Sequence, residues 1–360
     1  MRDQVTFKSF EGQSFFIGID VHKKSWKVTI LNKDYELKNF SQNANALELV
    51  KYLNENYPGG EFKLVYEAGF CGFNICREFL SHGLDCQVIH PADVPTSLKD
   101  RQQKTDKIDS RNLAKSLRAG ILNPIDIPSK ELEADRALIR QRFTVVKDIA
   151  RYKNRVKSLL YQFGIEIPFE FDNAQSRHWS KRYIEWLQCL TIKEASTKST
   201  LDNYIKIGLL LRKELLNINR QIRELSRTER YKEGNELLIK IPGIGLIVSM
   251  TLLTHLGDLK RFKRLDELCN FVGLVPSMHG SGEKMRTGKL IKRGRKQLKI
   301  MLIEASWIAI RKDPALLHKF TELSCRMNKN KAIIRIARKM LNRIKRVLIY
   351  KEPYELGVIK

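Results

Sequence analysis

The first 90 residues alternate between short apolar runs and amphipathic stretches. Residues 15–19 form an apolar run that ends in Asp20, and residues 26–31 resume as an alternating apolar strand after a polar turn. This pattern predicts a β-hairpin with a carboxylate at the end of a largely buried central strand. Because an uncompensated carboxylate is costly to bury, we expect a compensating group at Asp20, and a divalent metal ion is the commonest functional one. A capping or turn role for Asp20 is the structural alternative.

The chain then continues with strands and helices in alternation. Residues 35–40, 62–67 and 86–90 have the pattern of strands, and residues 43–57 and 73–82 have the pattern of helices. The strand over 62–67 also ends in a carboxylate, Glu67. Strands that alternate with helices indicate an α/β layer that contains parallel strands.

The segment Lys104–Ala114 predicts a helix with Thr105 as its N-cap. Asp106 and Asp109 are three residues apart and therefore lie on one helical face. Two neighbouring like charges do not stabilise a helix, but they suit a metal site. Two helical carboxylates and one from each of two strand ends can ligate a pair of Mg²⁺ ions, with Mn²⁺ as the alternative. The candidate catalytic and metal-binding set is therefore Asp20, Glu67, Asp106 and Asp109.

From Ser129 onward the pattern changes to long helices. Apolar residues recur at steps of three and four from Leu201 to Leu225, and only Gly208 interrupts the series. Such a repeat over about four heptads predicts a coiled coil. The pattern is equally compatible with a helical hairpin inside one chain and with a seam between two chains.

A third region begins with the turn Ile241–Gly245 between two apolar helices. This turn is typical of a helix-hairpin-helix, in which backbone N–H groups at a helix N-terminus hold a phosphate through Gly243 and Gly245. A tight helical turn is the alternative. Basic residues follow it, and the candidates for nucleic-acid contact are Lys284, Arg286, Lys289, Lys292, Arg293 and Arg295. The last helix has no acidic residue between Glu322 and Glu352.

Composition narrows the class of partner. The chain has 360 residues, enough for two or three domains, and 66 Lys+Arg against 40 Asp+Glu give a net charge of +26. Such an excess favours a polyanionic partner, with nucleic acid first. A membrane surface is disfavoured because no apolar run approaches the roughly 18 residues of a spanning helix. Residues 1–14 lack the apolar core of a signal peptide, so we expect a cytoplasmic protein.

The six cysteines contain no C-x-x-C pair. We therefore expect neither a zinc ribbon nor a disulfide framework.

Several motifs, taken in order, resemble one protein family. They are Gly18–Lys23, Tyr66–Ala68, Lys104–Arg111, Ile241–Gly245, Gly273–Gly282 and Lys292–Gly294. With this order and spacing over nearly the whole chain, the sequence resembles the DEDD-type insertion-sequence transposases of the family numbered 110. Members of that family act as bridge-RNA-guided recombinases.

The resemblance implies three domains. They are an RNase H-like (RuvC-like) α/β domain over residues 14–125, a helical coiled-coil and dimerisation region over 129–230, and a mainly α transposase domain over 235–350. It also implies DNA and a guide RNA as partners, and a homodimer or a larger homo-oligomer. By motif position it assigns Ser281 as a nucleophile that attacks a DNA phosphate, with Ser277 as the runner-up.

The sequence leaves the activation of this serine open. A serine hydroxyl needs activation to act as a nucleophile. Lys284, Arg286 or His279 could assist, and His22 could position a metal ion or a phosphate or simply belong to the turn. One rival hypothesis is a metal-dependent nuclease or junction resolvase in which Ser281 is structural. The other is a nucleic-acid-binding protein without activity, which the intact acidic quartet argues against.

Overall fold

The computed structural model describes residues 9–95, 105–172, 179–281, 284–291 and 293–357. The chain divides into two compact units, Met1–Ile127 (unit 1) and Pro128–Lys360 (unit 2). Among the described residues, no helix is both long enough and apolar enough to cross a membrane. The finer division of unit 2 into a coiled-coil region and a transposase domain stays a prediction.

Unit 1 contains a mixed five-stranded sheet in the order β3–β2–β1–β4–β5. The strands are β1 (Ser14–Val21), β2 (Ser25–Leu31), β3 (Glu36–Asn43), β4 (Glu61–Glu67) and β5 (Asp85–Ile89). Strands β1, β2 and β3 are antiparallel neighbours, whereas β4 is parallel to β1 and β5 is parallel to β4. The predicted hairpin, the third strand and the parallel strands are therefore confirmed.

In the described part of unit 1, three helices cover this sheet: α1 (Ala46–Asn56), α2 (Asn74–Ser81) and α3 (Asp106–Arg118). Alternate residues of β1 face opposite sides of the sheet. Ile17 and Ile19 are fully buried in the core that α1 and α2 cover. Gly18 and Asp20 lie on the opposite face, where α3 packs.

Helix α3 approaches β1 most closely at Gly18. A Cβ atom at Gly18 would lie only 2.1 Å from the carbonyl oxygen of Ser110 and 2.5 Å from the backbone nitrogen of Ala114. The Oγ of Ser110 is 2.9 Å from the Oγ1 of Thr29 on β2, in a buried hydrogen bond. Leu113 packs with apolar side chains of β4 and β5 beside this contact. The missing side chain at Gly18 therefore sets how near α3 lies to the strand that ends in Asp20.

Unit 2 is mostly helical. Its helices are α4 (Lys130–Gln162), α5 (Phe169–Asp172), α6 (Lys181–Cys189), α7 (Ala195–Leu225), α8 (Glu229–Leu238), α9 (Leu246–Leu256), α10 (Leu265–Val272), α11 (Lys296–Ala309), α12 (Pro314–Arg326) and α13 (Lys329–Tyr350). Its two strands, β6 (Pro276–Ser281) and β7 (Lys284–Leu290), form an antiparallel hairpin that the sequence analysis did not predict. The helices α8 to α13 surround the largest apolar core of the chain.

The predicted heptad series lies on α7, which packs along α4 of the same chain. Leu201, Ile218 and Ile222 are buried there. The helical-hairpin alternative is therefore confirmed for this seam. Gly208 interrupts the series for a packing reason, because a Cβ atom there would lie 1.9 Å from the indole of Trp179.

The contact at Gly18 can be tested by substitution. We expect Gly18→Ala to lower the free energy of unfolding by about 3 kcal/mol, because α3 must move away from β1 to admit the methyl group. Urea denaturation followed by circular dichroism measures the change. Gly69→Ala is the matched control, since its Cβ atom would meet no heavy atom nearer than the Glu67 oxygen at 4.0 Å. Equal stability of the two variants would contradict this account of the contact.

Candidate functional site

The two strand-end carboxylates lie on adjacent parallel strands. Ile19 of β1 is paired with Tyr66 of β4, so the next residues, Asp20 and Glu67, stand side by side at the carboxyl ends of their strands. By alternation both belong to the sheet face that α3 covers. The structure thus places Asp20 and Glu67 at the same edge of the same face.

Helix α3 brings the other two carboxylates to this edge. The Thr105 side chain accepts a hydrogen bond from the Ile108 N–H, which confirms it as the N-cap. Asp106 and Asp109 lie in the first turn, where negative charge interacts favourably with the helix dipole. Arg111 donates two hydrogen bonds of 2.6 and 2.7 Å to the Glu36 carboxylate on β3. This pair lowers the pKa of Glu36 and ties α3 to the sheet.

His22 completes a compact cluster with two of these carboxylates. Its Nε2 atom lies 3.2 Å from Oδ2 of Asp20 and 3.3 Å from Oδ2 of Asp106. The ligand atoms of the three residues all lie within 4.8 Å of one another. An octahedral ion bound at about 2.1 Å holds opposite ligands about 4.2 Å apart. The two distances from His22 are shorter than this, so the three side chains are close enough together to share one divalent metal ion.

His22 was not among the predicted metal ligands, although a role in positioning a metal ion was one of its two predicted roles. Its only signal was its place in the polar turn two residues after Asp20. Asp109 lies near enough for its charge to raise the pKa of Asp20. Glu67 is placed beside Asp20 by strand register. The structure thus gathers all four predicted carboxylates at one edge and adds the imidazole.

The pKa of Asp20 is raised above its ordinary value. Burial is the largest cause, the neighbouring His22 lowers the pKa, and the charges of Asp106 and Asp109 raise it again. Because the pKa of Asp20 is higher in the folded than in the unfolded state, the ionised carboxylate destabilises the fold wherever the pH is above both values. A bound cation would offset this repulsion.

The serine candidates lie in the β6–β7 hairpin of unit 2. Ser281 is the last residue of β6 and is paired with Lys284 across the hairpin. Ser277 lies at a shift of register between Pro276 and Met278. Lys292 lies outside the described residues, as do the side chains of Ser281, Lys284, Arg286 and His279.

The glycine turn joins α8 to α9 as the sequence predicted. Gly243 has a φ of +85° and packs so closely on α11 that a Cβ atom would lie 2.3 Å from the Ala305 oxygen. Gly245 is the N-cap of α9, and no side chain caps this helix end. The N-terminus of α9 also borders a cavity of about 670 Å³ whose charged lining residues are three cations, Arg223, Arg227 and Lys232, and one acid, Glu236.

The remaining basic candidates surround the start of α11. Lys289 on β7 and Arg293 are exposed. Arg295 is half-buried and is the N-cap residue of α11. The six cysteines are all free thiols in the structure.

Binding of a metal ion by this cluster of side chains can be tested through the melting temperature of the protein. We expect Asp20→Asn to raise the melting temperature of the metal-free protein at pH 7 by a few degrees, because it removes the carboxylate with the raised pKa. Millimolar MgCl₂ or MnCl₂ should raise the melting temperature of the wild type but not that of the variant. Differential scanning fluorimetry measures both shifts. Asp34→Asn, in the exposed turn before β3, is the matched control and should keep the metal-induced shift. The same shift in Asp20→Asn would exclude the cluster as a metal site.

Comparison with known proteins connects this site to a family. The model of the DEDD transposase domain of IS110-type elements matches residues 17–165, and the model described as "Transposase IS116/IS110/IS902 family" matches residues 235–322. A putative transposase, y4qE, of Sinorhizobium fredii is 26% identical over 298 residues, which cover 81% of this chain and 71% of the relative.

Two further relatives are also described as transposases. The transposase of insertion sequence element IS1111A of Coxiella burnetii is 26% identical over 289 residues, covering 78% of this chain and 76% of the relative. The putative transposase y4rJ of Sinorhizobium fredii is 24% identical over 359 residues, covering 91% of this chain and 90% of the relative. The two family models match, in order, the segments that carry the carboxylates and the serines. The chain therefore belongs to the IS110/IS116/IS902 family of insertion-sequence transposases.

Proposed function

We propose that this transposase cuts and rejoins DNA strands with a carboxylate metal site in unit 1 and a serine nucleophile, Ser281, in unit 2. The observation that carries the proposal is the convergence of Asp20, His22 and Asp106 beside Glu67 and Asp109 at one edge of the sheet. Family membership supplies DNA as the substrate.

The sheet topology supports an RNase H-like, RuvC-like assignment for unit 1. The order β3–β2–β1–β4–β5, with three antiparallel strands followed by two parallel ones, is the order of that fold. In this arrangement Asp20 lies at the end of the central strand. Function follows from the site rather than from the fold, so the carboxylates carry the argument.

Asp20, Glu67, Asp106 and Asp109 are the proposed ligands of Mg²⁺, with His22 as an added ligand or orienting group. Carboxylate oxygens suit Mg²⁺ and Mn²⁺, whereas an imidazole nitrogen is a softer ligand, which keeps Mn²⁺ as the alternative. A bound pair of ions would supply charge stabilisation at the phosphate under attack. The protein itself contributes the fixed spacing of these side chains, which Thr105 and Arg111 maintain through the position of α3.

The proposed covalent step exchanges one phosphate ester bond for another, so the number of these bonds stays constant. The Ser281 oxygen attacks a DNA phosphorus and forms a serine–phosphate ester, while the bond from phosphorus to one sugar oxygen breaks. The serine loses a proton and the leaving sugar oxygen gains one. Attack by the sugar hydroxyl of another strand reverses these steps, releases the serine and joins the new strand.

The α8–α9 turn is proposed as a helix-hairpin-helix that contacts a DNA phosphate. The uncapped N-terminus of α9 offers free N–H groups beside this cavity, in which Arg223, Arg227 and Lys232 outnumber the single acid Glu236. Both features favour an anion at this place. In this proposal Gly243 allows the turn to pack closely on α11. Gly245 has no side chain, so the N–H groups at the start of α9 stay uncapped.

Ser281→Ala and Asp20→Asn test the proposed chemistry. We expect both to reduce strand exchange between element ends and target by at least about a thousandfold, as losses of a nucleophile or of a metal ligand do. The two variants differ in the protein–DNA adduct. Asp20→Asn retains the serine that the adduct needs, whereas Ser281→Ala does not. An adduct that survives denaturation and disappears in Ser281→Ala would identify the nucleophile, and Ser277→Ala is the matched control. Full strand exchange by Ser281→Ala would favour the rival hypothesis of a metal-dependent junction resolvase.

A guide RNA and a second copy of the chain complete the proposal. The net charge of +26 supports a second polyanionic partner besides DNA, and an enzyme of this kind would act at the nucleoid in the cytoplasm. Because the heptad seam of α7 is occupied by α4, a second copy needs another surface. Leu210 and Leu216 on α7 are 58% and 71% exposed and are the proposed contact.

Leu216→Gln tests the proposed dimer contact. We expect it to raise the dimer dissociation constant at least about tenfold, since a buried leucine contributes about 1.5 to 3 kcal/mol. Light scattering over a range of protein concentrations, with DNA present, measures the change. Leu317→Gln is the matched control, an exposed leucine on α12 that is 49% exposed. A monomeric wild type would exclude the dimer.

A further inference from the structure

Four arginines of unit 2 converge at the carboxyl end of α9. Arg136 and Arg140 lie one turn apart on α4, Arg261 ends the short 3₁₀ turn Leu259–Arg261, and Arg295 is the N-cap of α11. Arg136 donates a hydrogen bond of 2.6 Å to the Thr254 oxygen. Arg261 donates one of 3.1 Å to the Leu256 oxygen. These two arginines therefore satisfy carbonyl groups at the end of α9.

Arg140 and Arg295 do not share this structural role. Within the described part of the chain, neither guanidinium takes part in a hydrogen bond or an ion pair. Arg140 is exposed, and Arg295 is half-buried with its Cζ 5.2 Å from the ring centroid of Phe271. The same ring has the Cζ of Arg261 at 4.9 Å from its centroid. The cluster is therefore open to solvent on the side of Arg140.

The charges in this cluster repel one another. Burial, followed by Arg136, Arg140 and Arg261, lowers the pKa of Arg295 to about 10. Burial and the charges of Arg295, Arg136 and Arg140 lower the pKa of the adjacent His255 to about 4. The main electrostatic causes of both shifts are arginines. Cations gathered in this way cost free energy, which a bound anion offsets.

We propose that Arg140 and Arg295 bind a backbone phosphodiester of nucleic acid. A guanidinium presents a planar fork of donors that matches two phosphate oxygens. Helix α11 also starts at Arg295 without a side-chain cap, so its first N–H groups add positive potential at the same place. The identity of the ligand rests on the proposed function, whereas the need for an anion follows from the cluster itself.

The site lies at the base of the hairpin that carries the serines. Gly273, before β6, packs against Gly294, after β7, so closely that a Cβ atom on Gly273 would lie 2.7 Å from the Arg293 oxygen. Arg295 follows directly and donates its backbone N–H to the Phe271 oxygen. The five steps from Pro276 to Ser281 span roughly 17 Å of strand. The bound phosphate is therefore not the one under attack, and the two arginines are positioning residues.

The test compares Arg140→Gln with Arg295→Gln in the full-length protein, with Arg151→Gln as the control. Arg151 is also exposed and on α4, but it is paired with Asp148. The probes are a single-stranded DNA and an RNA of the same sequence, titrated at several salt concentrations by fluorescence anisotropy. We expect each test variant to make the slope of log K against log[salt] shallower by about 0.7, the value for one phosphate contact on a single strand.

The outcomes separate this site from the proposed chemistry. A shallower slope with DNA, with RNA or with both supports the site and identifies its nucleic acid. Slopes equal to that of Arg151→Gln overturn it, because the variants then act only through net charge. Melting temperatures should not fall in either test variant, since each removes a repelled cation. Ser281→Ala should keep the wild-type slope, so a failed nucleophile assignment would leave this result untouched.

Discussion

The close contact between α3 and β1 at Gly18 is the constraint on which the proposed metal site depends. The helix can lie against the strand only because residue 18 has no side chain, and the buried Ser110–Thr29 hydrogen bond then fixes the distance. Asp106 begins this helix, and Asp20 lies two residues beyond Gly18 on the same face of the sheet. A backbone approach far inside the fold thus determines the separation of two carboxylates at its surface.

A second constraint is the uneven distribution of charge. In unit 1 acids gather at one edge, with a pKa of Asp20 raised by burial and by its acidic neighbours. In unit 2 arginines gather at the end of α9, with the pKa of Arg295 lowered by its basic neighbours. Each cluster is unfavourable by itself and favourable with a ligand of opposite charge. Charge clusters that destabilise the free protein are typical of functional sites. The proposed ligand is a cation at the acidic cluster and a phosphate at the arginine cluster.

Local sequence pattern predicted much of the architecture. The apolar runs located β1, β2, β4 and β5, because strands with a buried face need apolar residues there, whereas the edge strand β3 is mostly polar. Thr105 marked the start of α3, because its side chain caps the helix. The β6–β7 hairpin escaped prediction, since Ser281, Gly282 and the basic residues around them lack the alternating apolar pattern of a buried strand. The partner of the α7 seam was equally undetermined, because one heptad stripe fits any complementary helix.

The sequence by itself determined which residue types could do the chemistry. The sequence shows four acids at two strand ends and one helix start. It also shows a serine motif and a large excess of basic residues. Only the tertiary structure decided that His22 joins Asp20 and Asp106, and that Arg140 of α4 lies near enough to Arg295 at the start of α11 for the two charges to repel each other. Both results join residues far apart in the chain. Their proximity depends on the packing of whole elements, which no local periodicity encodes.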